Sequence, residues 1–117
     1  MTIERIGLAA RYCDAAIFNG IIFLAGHVAE KTEGASLTEQ TEEVLALLED
    51  TLAQAGSRKE RILSVQIFLT DISKIGEMNV VWDKWVAKGH SPARATVEAK
   101  LASPGYAIEI TAVAAKG

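Results

Sequence analysis

The chain has 117 residues, 50% of them hydrophobic, with 12 Lys and Arg against 15 Asp and Glu and a formal net charge of −3. That length and apolar content suit a single domain spanning residues 1–117 around one core. The charges are interspersed and form no basic stretch that would follow a phosphate backbone, so no nucleic-acid partner is expected. Cys13 is the one cysteine, which excludes an internal disulfide, and no Cys/His cluster surrounds it for zinc. The start MTIERIG lacks the basic and apolar regions of a signal peptide, and the longest apolar runs, IIFLAG and AIEITAVAA, are too short or too interrupted to cross a bilayer. A soluble cytoplasmic protein with no membrane partner is the expectation.

In chain order, Thr2 to Ala9 reads as a short edge strand. AAIFN (15–19) and IIFLAG (21–26) are strands joined by Asn19-Gly20, a strong hairpin signal. AEKTEGA (29–35) is polar and reads as a loop. Ser36 opens a helix with Glu39 three residues on, as a capping box requires, and Leu37, Val44, Leu45, Leu48 and Leu52 follow at helical spacing until Gly56. Arg61 to Leu69 is a strand with Leu63, Val65, Ile67 and Leu69 on one side and Ser64 and Gln66 on the other. A second helix runs from Asp71 or Ser73 to about Ala87, its apolar side made of Ile75, Met78, Val81, Trp82 and Trp85. Two strands, Arg94–Leu101 and Tyr106–Ala114, close the chain around a tight Ser-Pro-Gly turn.

This order predicts an α+β two-layer sandwich: one mostly antiparallel sheet with both helices on one face. The other face is left uncovered and partly apolar, and a partner subunit is its expected cover.

SPARATVEAKL (91–101) alternates, so that Arg94, Thr96, Glu98 and Lys100 point one way and Ala95, Val97, Ala99 and Leu101 the other. By itself this is a half-buried strand with a wet face. Pairing Leu101 with Tyr106 across the turn places Glu109 opposite Glu98 and Arg94 opposite Val113. Arg94 and Glu109 then share a face about four strand steps apart, roughly 14 Å. That is too far for both to reach one small molecule, so the two groups of one site are expected to come from different chains unless a bulge changes the register.

PARATVEAKL followed by AIEITAVA resembles the closing signature of the RidA/YjgF reactive-intermediate deaminases. Tyr12 ahead of the first hairpin, LAGHV (24–28) and MNVVWDKW (78–85) agree in order and spacing, so the resemblance spans nearly the whole chain. It implies a chorismate-mutase-like fold, a homotrimer with three sheets forming an inner barrel, and ligand clefts between subunits. The implied activity is hydrolysis of reactive 2-imino acids such as 2-aminoacrylate to 2-oxo acids and ammonia, of the 2-iminobutanoate/2-iminopropanoate deaminase type. Removing these imines protects the pyridoxal-phosphate enzymes that generate them, and no metal or organic cofactor is implied.

The resemblance also assigns residues. Arg94 matches the arginine that binds the substrate carboxylate, a task suited to a planar, permanently charged fork; otherwise it is a solvent-facing strand arginine. Glu109 matches the glutamate that positions or activates water, and is otherwise an outward strand carboxylate. Tyr12, Gly26, Asn79 and Thr96 match residues that shape the pocket. Their plainer readings are a packing tyrosine, a bend, and, for Asn79, a mid-helix polar residue facing solvent. Thr96 stands where a cysteine is frequent, so a thiol-dependent role is lost, while its hydroxyl still offers a hydrogen bond. Arg11 and His27 depart from the common proline and glutamine, and are read as surface residues. Trp82 and Trp85 are read as packing, and Cys13 as a small half-buried residue. A different class, a non-catalytic trimer that binds 2-oxo acids or other small molecules for regulation, needs Arg94 but no activated water. Endoribonuclease or translation-inhibitor activity, attached to some relatives, sits poorly with the acidic balance.

Overall fold

In the computed structural model, which describes residues 2–117, six strands and two helices form the α+β sandwich expected from the pattern. The strands are β1 (Glu4–Ile6), β2 (Ala15–Phe18), β3 (Ile21–Val28), β4 (Ile62–Leu69), β5 (Ala93–Glu98) and β6 (Ile108–Ala115), and the helices are α1 (Leu37–Gln54) and α2 (Ile75–Trp85). They make one sheet in the order β1-β2-β3-β6-β4-β5, antiparallel except for the parallel pair β4–β5. No helix among the described residues is long and apolar enough to cross a membrane.

Local chemistry explains most element ends. Asn19 and Gly20 both take positive φ, 55° and 78°, which lets a two-residue turn match the strand twist as Phe18 pairs with Ile21. Ser36 caps α1 by accepting from the Glu39 backbone N–H at 3.2 Å. At the other end Gly56 (φ 81°) donates to Ala53 and Ser57 to Leu52, a Schellman arrangement that satisfies carbonyls the helix leaves open. α2 is shorter than expected. It follows a 3-10 turn begun by Asp71, and stops at Trp85, whose carbonyl accepts from Lys59 Nζ at 2.6 Å.

The core lies between the sheet and the helices. Val44, Leu45, Leu48 and Leu52 of α1 and Met78 and Trp82 of α2 are buried with Ile22, Leu24, Val65, Ile67, Leu69, Ile108 and Ile110. Each such side chain contributes about 1.5–3 kcal/mol by leaving water. One buried polar group ties the layers: Gln40 Nε2 donates to the Ala35 and Gly105 carbonyls, and its Oε1 accepts from Ala107 N–H at 2.9 Å. The loop before α1 is fastened by Glu43, whose carboxylate accepts from the backbone of Glu30, Lys31 and Thr32 and from the Thr32 hydroxyl.

The opposite sheet face is uncovered in the chain, and Phe18, Phe23 and Val97 stand 43%, 53% and 47% exposed on it or at its rim. Leu63 departs from expectation. A register shift between Ile62 and Ser64 takes it out of the buried row, and it is 49% exposed.

The largest correction concerns the last two strands. They do not pair as a hairpin. β4, α2 and β5 form a crossover unit that sets β5 parallel to β4 at the sheet edge, while β6 inserts between β3 and β4. Glu109 therefore pairs with Phe68 and Val28, and Arg94 with Val65, instead of Glu98 and Val113.

Candidate active site

Arg94 lies in the edge strand β5. Its pairing with Val65, whose side chain is buried beneath the helices, directs Arg94 toward the helix layer and not toward the uncovered face. There α2 receives it. Nη1 donates to Asn79 Oδ1 at 2.9 Å, and the guanidinium lies 5.3 Å from the centroid of the Trp82 ring. Trp82 is itself fixed, 6% exposed and tilted against Trp85 at 5.3 Å. A cation over an indole face and one hydrogen bond hold the fork with its remaining N–H groups free to bind. Arg94 remains exposed. Thr96 follows on the same face, paired with Ile67, and its Oγ1 is buried without a hydrogen-bond partner among the described residues. Arg94, Asn79 and Thr96 thus come together, with Trp82 as a member that the sequence reading assigned to packing alone. Its apolar helical spacing gave no sign that the indole face would meet a strand residue.

Glu109 lies on the other face of the sheet, half-buried, with Val28 and Phe68 at its flanking positions. Its carboxylate has no hydrogen-bond partner among the described residues. Beside it, β3 bulges: Leu24 pairs with Ala112 and His27 with Ile110, so Ala25 and Gly26 together face Thr111. Thr111 Oγ1 closes the bulge by donating to the Leu24 carbonyl at 2.7 Å. The bulge brings Gly26 against the Glu109 side chain. Gly26 and Tyr12 line one groove of about 310 Å³ with Asp14, His27 and Asp50. Tyr12 is 63% exposed.

His27 is not the free surface residue expected. The bulge turns it toward α1, where Nδ1 donates to the Ala25 carbonyl at 2.7 Å and Nε2 meets Thr51 Oγ1 at 2.8 Å. Because a carbonyl only accepts, Nδ1 carries a hydrogen. Arg11 is exposed, and Cys13 is partly buried.

Five of the six assigned residues therefore form two groups, Arg94–Asn79–Thr96 and Glu109–Gly26, while Tyr12 shares with Gly26 a groove that Glu109 does not line. The expectation that Arg94 and Glu109 share a face is overturned. Arg94 is level with Ala112 through Val65, which puts Glu109 three steps away along the sheet and two strands across. That is roughly 10 Å in each direction, through the sheet. Within one chain the two groups do not converge: they lie on separate surfaces of the sheet.

Residues 2–116 match the family described as Endoribonuclease L-PSP. The chain belongs to this family, that of the RidA/YjgF proteins. The L-PSP family chain is 46% identical over 114 residues to a RutC family protein of Haemophilus influenzae, covering 97% of this chain and 98% of that one. It is 44% identical to the RutC family protein YoaB of Escherichia coli, covering 98% and 99%. A crystal structure of a YjgF family member from Neisseria meningitidis superposes with a TM-score of 0.96 at 46% identity, covering 100% of this chain and 97% of that one. Yeast Mmf1 superposes with a TM-score of 0.91 at 25% identity. The α+β architecture is thus shared across the L-PSP family.

Proposed function

We propose that the chain is a hydrolase that deaminates reactive 2-imino acids of the 2-aminoacrylate type to 2-oxo acids and ammonia, in clefts between the subunits of a homotrimer. One observation carries the reading: the exposed Arg94 guanidinium is held by Asn79 and Trp82, as a carboxylate anchor would need, and the unpaired carboxylate of Glu109 faces away from it through the sheet. Two such half-sites make a whole one when a second copy brings its Glu109 group to the Arg94 group of the first. The uncovered sheet face, with Phe23 and Val97 exposed, supports association of that kind.

In this mechanism Arg94 binds the substrate carboxylate through two parallel hydrogen bonds and fixes the imine carbon. Glu109 takes a proton from water as the oxygen attacks that carbon, and a carbinolamine forms. The proton held by Glu109 passes to the nitrogen to complete the carbinolamine; the hydroxyl proton then passes to the nitrogen as the carbonyl forms, the C–N bond breaks, and ammonia leaves. Tyr12 lines the groove next to Gly26, and the Thr96 hydroxyl is a further donor on the Arg94 side. No covalent enzyme intermediate is involved. This chemistry also needs no metal or organic cofactor.

The family description names an endoribonuclease, but the −3 net charge and interspersed basic residues favour a small anionic substrate over RNA. Regulatory binding of 2-oxo acids without turnover would use Arg94 alone; the unpaired Glu109 carboxylate favours turnover. The test is 2-oxo acid release from imines generated in situ by an amino-acid oxidase. Acceleration by the wild type and its loss in Arg94→Ala support the proposal. Saturable 2-oxo acid binding with no acceleration of any imine would replace it with the regulatory reading.

A further inference from the structure

We propose that Gly26 is a positioning residue for Glu109: the missing side chain is the space in which the Glu109 carboxylate is held. The inference rests on the reading of Glu109 as the group that handles water. The backbone at Gly26 lies outside the left-handed region, so its conformation does not itself demand glycine. What demands it is the neighbour. A Cβ at residue 26 would overlap Glu109 Oε2, and would lie 2.9 Å from Cδ and 3.2 Å from Cγ. Any side chain here would push the carboxylate off its place.

The bulge sets this contact. Without it, residues 25 and 26 would take successive places opposite β6, and Gly26 would not stand beside Glu109. Three groups hold the bulge in shape: the Ala25 N–H donates to Asp14 O at 2.9 Å, the Thr111 hydroxyl bonds Leu24 O, and His27 spans from Ala25 O to Thr51 of α1. His27 thereby serves the site from the far side of the sheet, although its ring points away from it. The displaced atom in a Gly26→Ala chain is the far end of a flexible side chain, so the cost falls on carboxylate placement far more than on folding.

The experiment combines carboxyl ¹³C NMR with kinetics. The Glu109 carboxyl resonance is identified by its loss in Glu109→Gln. In Gly26→Ala that resonance moves while the other carboxyls stay, the unfolding midpoint is nearly unchanged, and kcat falls about tenfold or more with KM within about twofold. In a Glu109→Ala background, Gly26→Ala causes no further loss, as expected for two residues acting as a unit. An unmoved Glu109 resonance in Gly26→Ala overturns the proposal whatever the activity. If Gly26→Ala fails to fold, Gly26→Ala/Glu109→Ala regains the fold; failure of that double variant also overturns it. A moved resonance with Glu109→Ala as active as wild type supports the positioning role and defeats the water-handling reading instead.

Discussion

Arg94 and Glu109 project from opposite faces of one sheet, separated by strand β4. The helix-side group carries a cation set on an indole, and the open-side group carries a carboxylate with no partner. A reaction needing both groups at one substrate must bring a second surface to each.

Truncating the anchor should weaken substrate binding first. If Arg94 binds the substrate carboxylate as proposed, Arg94→Ala removes charged hydrogen bonds worth about 1.5–3 kcal/mol, a rise in KM of roughly 10–100-fold. Arg94→Lys keeps the charge but loses the fork and should fall between. Steady-state oxo-acid release checks both, and an unchanged KM in Arg94→Ala would remove Arg94 from the site.

Asn79 and Trp82 should act through Arg94. Asn79→Ala removes one hydrogen bond, about 1 kcal/mol, so KM rises severalfold in the wild type but not in an Arg94→Ala background. Trp82→Phe keeps a ring under the guanidinium and should retain most anchoring, whereas Trp82→Ala, at 6% exposure, should lose about 3–5 kcal/mol of stability. Urea unfolding alongside kinetics separates the two effects.

Thr96→Val replaces a buried, unpaired hydroxyl by a methyl of similar shape. Stability should hold or rise, by up to about 1 kcal/mol, while KM rises if the hydroxyl meets the ligand. A more stable variant with unchanged KM would show that Thr96 is only packed there.

Glu43 gives a pH signature independent of the site. Burial works to raise its pKa, but the Thr32 hydroxyl and the backbone N–H groups of Lys31, Thr32 and Glu30 hold it down to about 2, from an ordinary 4.5. The unfolded chain therefore takes up this proton first as pH falls. The stability it adds is present above pH 4.5 and is lost between 4.5 and about 2. Glu43→Gln should be less stable than wild type at neutral pH, and the two should converge as pH approaches 2. A constant difference across that window would contradict the assignment.

Much of the fold is legible in the residues. Asn19-Gly20, the Ser36–Glu39 cap and the α1 leucines each carry a local rule that the structure obeys, and the resemblance carried by PARATVEAKL led to the family. The strand order was not legible, because a short Ser-Pro-Gly turn suggests a hairpin and nothing local reports that β4 lies between. The composition did hold a clue. ARATVE is charged enough for an edge strand, whereas IEITAVAA is apolar on alternate residues and half-buried on the rest, as a central strand must be. Mistaking that order also mistook the face of Arg94. His27 reads as a surface residue and Trp82 as packing alone because their contacts depend on a bulge and a crossover, which single-chain periodicity does not encode.

The central claim is that each site takes Arg94 from one chain and Glu109 from another. With substrate held below the wild-type KM, Arg94→Ala and Glu109→Ala chains each retain only a few per cent of wild-type oxo-acid release or less; co-refolded in equal amounts, they should regain about a quarter of it. That fraction follows because in a closed ring one interface in four pairs an intact Arg94 with an intact Glu109. Mixed assemblies, verified by mass, that remain as inactive as either parent would contradict the claim.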